Sequence, residues 1–526
     1  MPVGGTNSGV VGQSKEFLLQ QERRNKSAED ELMPVTTTRL LAVVTTAMTL
    51  LLLFSNQPVN ADTRPNIVWI VVEDMSLPFG CYGETAIETP SVDALAERGV
   101  KFTQAFVTAP VCSACRSAMI TGMYQTSIGA HLHRSGRGRM IIPLEEHVKL
   151  IPQLFREAGY FTSNSNAPGS QVRRSKGNPK GLAKTDYNFK WDEDVYDGNH
   201  WRERKSPQPF FAQYQLKGGK GRTTKTPNPV NPSDVTLPPY YPDDPVMRDD
   251  WAQYLNSAMN TDLDVGHIVD ELREAGELDN TYIFFMTDHG ISHVRGKQFL
   301  YEEGIRIPFV IAGPKIQAGT IRDDLIVHID MAATSLALAG IPVPDYMEGQ
   351  DLLAENYSPR EFIVAARDRC DETVDRLRCV HTDRFKYIRN FYPDRPYLQP
   401  NTYKDNKPIL KAMRRLHAEG KLTPAQSLIM ATTRPAEELY DLKNDPHELH
   451  NLAENPEYAG VVEEQRERLK LWIRNSGDRG RFDESDLLYD SDMKVYLDAI
   501  RIRKPDRAAE IEANIALMKK WKEEGR

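Results

Sequence analysis

Two short stretches constrain what this chain can fold into. Asn66-Ile-Val-Trp-Ile-Val-Val72 and Thr281-Tyr-Ile-Phe-Phe-Met-Thr287 are apolar runs with no polar alternation. Such a run predicts a strand buried on both faces, as in a parallel sheet covered by helices. Each ends in ligand-type residues, Glu73-Asp74 after the first and Asp288-His289-Gly290 after the second. Open α/β sheets place ligand sites at strand carboxyl ends, and acids abutting a buried strand are costly unless paired or bound to a cation. The expected fold class is therefore α/β. A solvated turn is the plainer alternative for Glu73-Asp74 taken alone.

The central motif is Pro110-Val-Cys-Ser-Ala-Cys-Arg-Ser-Ala-Met-Ile-Thr-Gly122. Arg116 to Ile120 carry no breaker and predict the first turns of a helix. A nucleophile at Cys112, just ahead of it, would meet free backbone N–H groups and the positive end of the helix dipole, both of which favour an anionic substrate. Cys112 and Cys115 also have the spacing of a redox pair or half a zinc site. A zinc ribbon needs a second close pair, and Cys370 and Cys379 are too far apart to supply one. The redox reading stays open on this evidence.

The 526 residues allow two or three ordinary domains, or one large α/β domain with an appendix. A hydrophobic share of 40% and a charged share of 27% are those of a soluble globular protein. The net charge of −8 gives no global basic field for nucleic acid. Residues 1–32 are polar and aperiodic and look like an upstream extension or a mis-called start. Residues 33–61 combine a basic start, an apolar run from Leu40 to Phe54 and a Val-x-Ala end, which predicts a secretory signal peptide. The run falls short of the roughly 20 residues that span a bilayer, so no permanent anchor is expected. Export to a periplasmic or extracellular compartment follows, or a lysosomal-type one in a eukaryote.

Cys112-x-Ala-x-Arg116 closed by Thr121-Gly122 resembles the signature of the type I sulfatases of the alkaline phosphatase superfamily. Ala114 replaces the more frequent proline and Cys115 the usual serine. Gly80-Cys-Tyr-Gly83, Thr89-Pro-Ser91 and Glu438 to Leu452 extend the resemblance over about residues 64–455, and the spacing around Glu73 and Cys112 is most similar to the heparan N-sulfatase branch. The resemblance implies an alkaline phosphatase-like, mixed but mostly parallel sheet flanked by helices, with a smaller C-terminal antiparallel-sheet subdomain. The expected division is a catalytic domain at 64–358, a C-terminal subdomain at 359–505 and a charged helical tail at 506–526.

It also implies a site. Cys112 would be oxidised to formylglycine by a maturation enzyme, and Glu73, Asp74, Asp288 and His289 with residue 112 would hold Ca2+, or Mg2+ or another divalent cation. Arg116, Lys184 and Lys297 would meet the sulfate. Departures from the family pattern accompany these matches. Asp186 stands where a histidine is usual. After the strand at Pro209 to Tyr214, Lys217-Gly-Gly-Lys220-Gly-Arg222 has no histidine, which leaves Lys220 as the substrate contact and His293 as an acid candidate by position. His131 and His133 are given no catalytic role, and Asp262, Asp264 and His267 are read as helix surface. Arg134, Arg137 and Arg139 form a basic run suited to a polyanionic substrate or to a solvated loop. The implied activity is removal of sulfate from sulfated carbohydrates. The alternatives are an N-sulfate hydrolase on heparan-like glycans, a phosphoryl-transfer member of the superfamily, and a silent binder of sulfated glycans.

Overall fold

The computed structural model describes residues 64–168 and 181–526. The leader and upstream extension lie outside the described residues, as does the middle of the Gly/Pro/Lys-rich insertion that precedes Lys184.

In chain order the strands are β1 (Asn66–Val72), β2 (Gly99–Phe102), β3 (Ala105–Phe106), β4 (Phe161–Asn166), β5 (Phe210–Leu216), β6 (Thr281–Thr287) and β7 (Phe309–Ala312). Then come β8 (Thr320–Arg322), β9 (Ile326–Val327), β10 (Ile363–Arg367), β11 (Leu377–His381), β12 (Phe385–Asn390) and β13 (Glu437–Asp441). The main sheet has seven strands in the order β4-β5-β1-β6-β7-β2-β8. The pairings β4–β5, β5–β1, β1–β6 and β2–β8 are parallel, and β7 runs antiparallel to both neighbours.

Both runs singled out from the sequence are buried at every position. Alternate side chains enter different cores: Ile67, Trp69 and Val71 join one cluster, Val68, Ile70 and Val72 the other. That double burial is why neither run alternates with polar residues. Each such side chain contributes about 1.5–3 kcal/mol relative to exposure. The second cluster is covered by α1 (Pro90–Arg98) and the 30-residue α4 (Pro245–Glu274). The first is covered by α2 (Cys112–Thr121), α3 (Ile151–Glu157) and α5 (Asp330–Leu338).

Asp262 on α4 caps α1, accepting from the N–H groups of Ser91 and Val92 at 3.2 and 2.8 Å. Its expected place on the helix surface is therefore corrected: it is buried and ties two helices together. The helix carrying it is capped by Asp244, with Pro245 in its first position.

β10 to β13 form a four-stranded antiparallel meander. Beyond it, α6 (Pro408–Ala418) lies between β12 and β13, and α7 (Ala459–Asn475), α8 (Asp486–Arg503) and α9 (Ala508–Glu523) close the chain. Tyr489 and Met493 of α8 pack with Met518 and Trp521 of α9. All five cysteines are free thiols, Cys370 and Cys379 included.

Candidate active site

The four adjacent parallel strands β4, β5, β1 and β6 end on one edge of the sheet, and their tips build the site. Val72 of β1 stands opposite Thr287 of β6, so Glu73-Asp74 and Asp288-His289 emerge side by side. Asp74 takes a left-handed backbone, φ 54°, and its N–H donates to Asp288 Oδ1 at 3.0 Å. A non-glycine residue held there stores strain that concentrates at functional positions. Gly290 permits the second tip to close, since a Cβ on it would stand 1.8 Å from the Glu303 carbonyl oxygen. Gly219 does the same for the loop after β5: its Cβ would stand 2.1 Å from the Asp74 carbonyl oxygen. That loop therefore lies against the first tip and delivers Lys220.

α2 carries the nucleophile candidate. Pro110 and the extended Val111 stop the helix extending backward, so it begins at Cys112, earlier than the stretch from Arg116 indicated. Cys112 thus sits in the first turn, where its own amide and those following are free of helix bonds. Arg116, one turn on, shares its face.

Cys112 Sγ lies 3.0 Å from Lys297 Nζ, 3.1 Å from His289 Nε2, 3.5 Å from Lys220 Nζ and 3.7 Å from Asp74 Oδ1. Arg116 Nε donates to Asp288 Oδ2 at 3.1 Å, and its Nη1 donates to Gln215 Oε1. Lys184 Nζ donates to Glu73 Oε2 at 2.7 Å and stands 3.9 Å from Asp288. Lys220 also pairs with Glu73. Lys297 Nζ donates to Asp74 Oδ1 at 3.1 Å.

Burial opposes ionisation of the Cys112 thiol, and the ammonium groups of Lys184, Lys220 and Lys297 outweigh it, bringing the thiol down to about 6. Burial also opposes charge on Asp74 and Asp288, yet the lysines, His289 and Arg116 hold both below the usual carboxylate range.

Asp74, Cys112, Asp288 and His289 are buried and present ligand atoms within 4.8 Å of one another. His289 Nδ1–H donates to the Gly290 carbonyl at 2.9 Å, which turns Nε2 toward Asp74 Oδ1 at 3.3 Å and Asp288 Oδ1 at 3.5 Å. Two carboxylates and a ring nitrogen facing one another need a proton or a cation between them, and this fixed tautomer is that of a metal-binding histidine. The donor set therefore fits a divalent cation. Glu73 stands outside this group, its carboxylate held by Lys184 and Lys220.

His293 is placed differently. Its Nε2 pairs with Asp250 and its ring stacks on Trp251 at 5.0 Å, with no hydrogen bond or ion pair to Cys112 among the described residues. Asp186 receives Arg137 at 2.6 Å and stands 3.9 Å from Lys184.

The chain matches the family Sulfatase over residues 65–341. The chain belongs to the sulfatase family. It is a sulfatase hydrolase of the alkaline phosphatase superfamily, and residues 289–399 also match the C-terminal family of N-sulphoglucosamine sulphohydrolase. It is 35% identical to an ulvan-active sulfatase of Formosa agariphila over 81% of this chain and 77% of that one. It is 26% identical to human N-sulphoglucosamine sulphohydrolase over 78% of this chain and 90% of that one. Among solved structures, one in complex with its substrate D-glucosamine-2-N,6-O-disulfate shares the fold, with a TM-score of 0.55 and 20% identity over 82% of this chain and all of that one.

Three contacts of this sulfatase site escaped sequence reasoning. Gln215, which holds Arg116, had a signal in being one of two glutamines within a fully buried strand. Ser113 Oγ lies 2.8 Å from His133 Nδ1, which gives that histidine a supporting place beside the nucleophile candidate. Tyr403, whose hydroxyl donates to Asp74 Oδ2 at 3.4 Å, carried no local signal.

Proposed function

We propose that this sulfatase removes sulfate from sulfated carbohydrates, with an aldehyde at position 112 and a divalent cation held by Asp74, Asp288, His289 and residue 112. Glu73 completes the ligand set if its lysine partners turn to the substrate. The observation that carries the reading is the convergence of the buried acids of two strand tips, and of Lys220 and Lys297, on Cys112 Sγ. The hydrated aldehyde supplies two hydroxyls, one to attack sulfur and one to expel the sulfate afterwards, and the cation supplies Lewis acidity.

The side chains of this protein do the rest. Arg116, Lys184 and Lys297 neutralise the sulfate oxygens as charge builds in the transition state. Lys220, beside Cys112, holds the oxygen of the leaving group, and Tyr403 orients Asp74. His293, held by Asp250 and stacked on Trp251, is given no catalytic step. The arrangement presupposes oxidation of Cys112 by a maturation enzyme, and the apolar run of residues 40–54 supports export. Among the described residues no helix is long and apolar enough to cross a membrane.

The match of residues 289–399 to an N-sulphoglucosamine sulphohydrolase family favours a second reading, cleavage of N-sulfate. Mass spectrometry of the peptide spanning residue 112, from protein made in its native host, should find an aldehyde in place of the thiol. Sulfate release from O-sulfated and N-sulfated saccharides then separates the two readings. An unmodified Cys112 in fully active protein would exclude both.

A further inference from the structure

A cavity of about 370 Å3 opens beside the catalytic cluster, within the range of roughly 300–1,000 Å3 usual for small-molecule sites. It touches the cluster at two points. Asp186 lies on its wall and ion-pairs with Lys184, and His133 lies on its wall and contacts Ser113, the neighbour of Cys112. The far wall is α8, which contributes Met493, Tyr496 and Ile500, an apolar and aromatic surface of the kind that meets the face of a sugar ring.

Backbone strain is concentrated here. Arg134, Asp186 and Asp371 line the cavity and take left-handed φ values of 57°, 59° and 52°. Such conformations in non-glycine residues gather where a site must be held. The polar groups are also unfinished. Asp371 is 7% exposed, and its Oδ1 has no hydrogen-bond partner, His133 Nε2 and Arg134 Nη1 both standing 3.7 Å away. Asp186 Oδ2 is likewise buried without a partner. Buried acceptors in native proteins are normally satisfied, and these two unsatisfied oxygens belong to residues that line the cavity.

The cations divide into used and unused. Arg369 is taken by Glu484 and Asp492 at 2.8 and 2.6 Å, and Arg137 by Asp186. Arg134 has only its long contact to Asp371, with its side chain 48% exposed. The side chain of Arg503, at the end of α8, has no ion pair or hydrogen bond among the described residues.

We propose that this cavity is a subsite for the sugar next to the sulfated one, with Asp371 and Asp186 accepting from its hydroxyls and Arg134 and Arg503 receiving an anionic substituent, a carboxylate or a second sulfate. It rests on the reading of the neighbouring cluster as the site of a carbohydrate sulfatase. Arginine suits either anion because its planar fork makes paired, charge-assisted hydrogen bonds.

The test uses the full chain. Binding to Cys112→Ser protein is measured by calorimetry with oligosaccharides whose terminal sulfated sugar is flanked by a uronate, by a second sulfated sugar or by a neutral sugar. Arg134→Ala and Arg503→Ala should each weaken the anion-flanked ligands about tenfold, and the neutral-flanked one not at all. Whether the uronate or the sulfate responds identifies the substituent. With Cys112 intact, Arg503→Ala should keep the wild-type rate on a small aryl sulfate and lose about tenfold in kcat/KM on the anion-flanked substrate. Unchanged affinity, or an equal loss on the neutral-flanked ligand, overturns the subsite while leaving the sulfatase reading intact. Arginine-dependent binding without sulfate release from any substrate supports the subsite and removes the proposed chemistry.

Discussion

Lys297 illustrates what one side chain does in this site. It is buried, it lies 3.0 Å from Cys112 Sγ and 3.1 Å from Asp74, and those two charges keep it an ammonium despite burial. A fixed cation at that distance stabilises negative charge on the transferring group more than on a solvated substrate, because no water must reorganise around it. Lys297→Ala should therefore lower kcat/KM for sulfate release by about 100- to 1,000-fold, with the loss mainly in kcat. A variant that loses only KM would show that Lys297 binds substrate and transition state equally. Lys220 is a second cation of this cluster: Asp74 and Cys112 raise it well above the ordinary lysine value even against burial.

At the scale of elements, the C-terminal meander is held by buried ion pairs as well as by apolar packing. Asp375, in the loop between β10 and β11, is fully buried and receives Arg367 from the end of β10 and Arg434 from the segment leading into β13. Both arginines are buried too. Removing the shared carboxylate leaves two desolvated cations without a counter-charge, so Asp375→Ala should cost about 3–5 kcal/mol, read as a fall in urea midpoint. This connection bears on function, because Tyr403 and the cavity wall at Asp371 come from the segments around this sheet. An undiminished midpoint would mean that the pair is dispensable.

Across the whole molecule, the described residues form one compact unit, and the candidate cation site lies where its parallel strands end together. Asp74, Asp288 and His289 face one another in a buried space, so a bound cation should stabilise the native state and leave the unfolded chain untouched. At one hundred times its Kd the cation contributes about 2.7 kcal/mol. Chelator treatment should accordingly lower Tm in a scanning experiment, and added Ca2+ should restore it in a concentration-dependent way. A Tm indifferent to both would exclude a structural cation at these residues.

Much of this was legible locally. The two unalternating runs predicted doubly covered strands, and their acidic ends predicted a ligand site, because side-chain periodicity and strand polarity are properties of a few consecutive residues. The breaker-free stretch from Arg116 likewise predicted a helix directly after Cys112, and the structure extends that helix back to Cys112 itself. The partners of those residues were another matter. That Lys184 and Lys220 share Glu73, that His293 belongs to Asp250, and that Tyr403 reaches Asp74 across 329 positions of chain could not be read from spacing. Local sequence determined the elements and the chemistry carried at their ends. The order of strands in the sheet, and the C-terminal segments folded over its edge, decided which charges meet, because contacts between distant residues depend on how the elements stack.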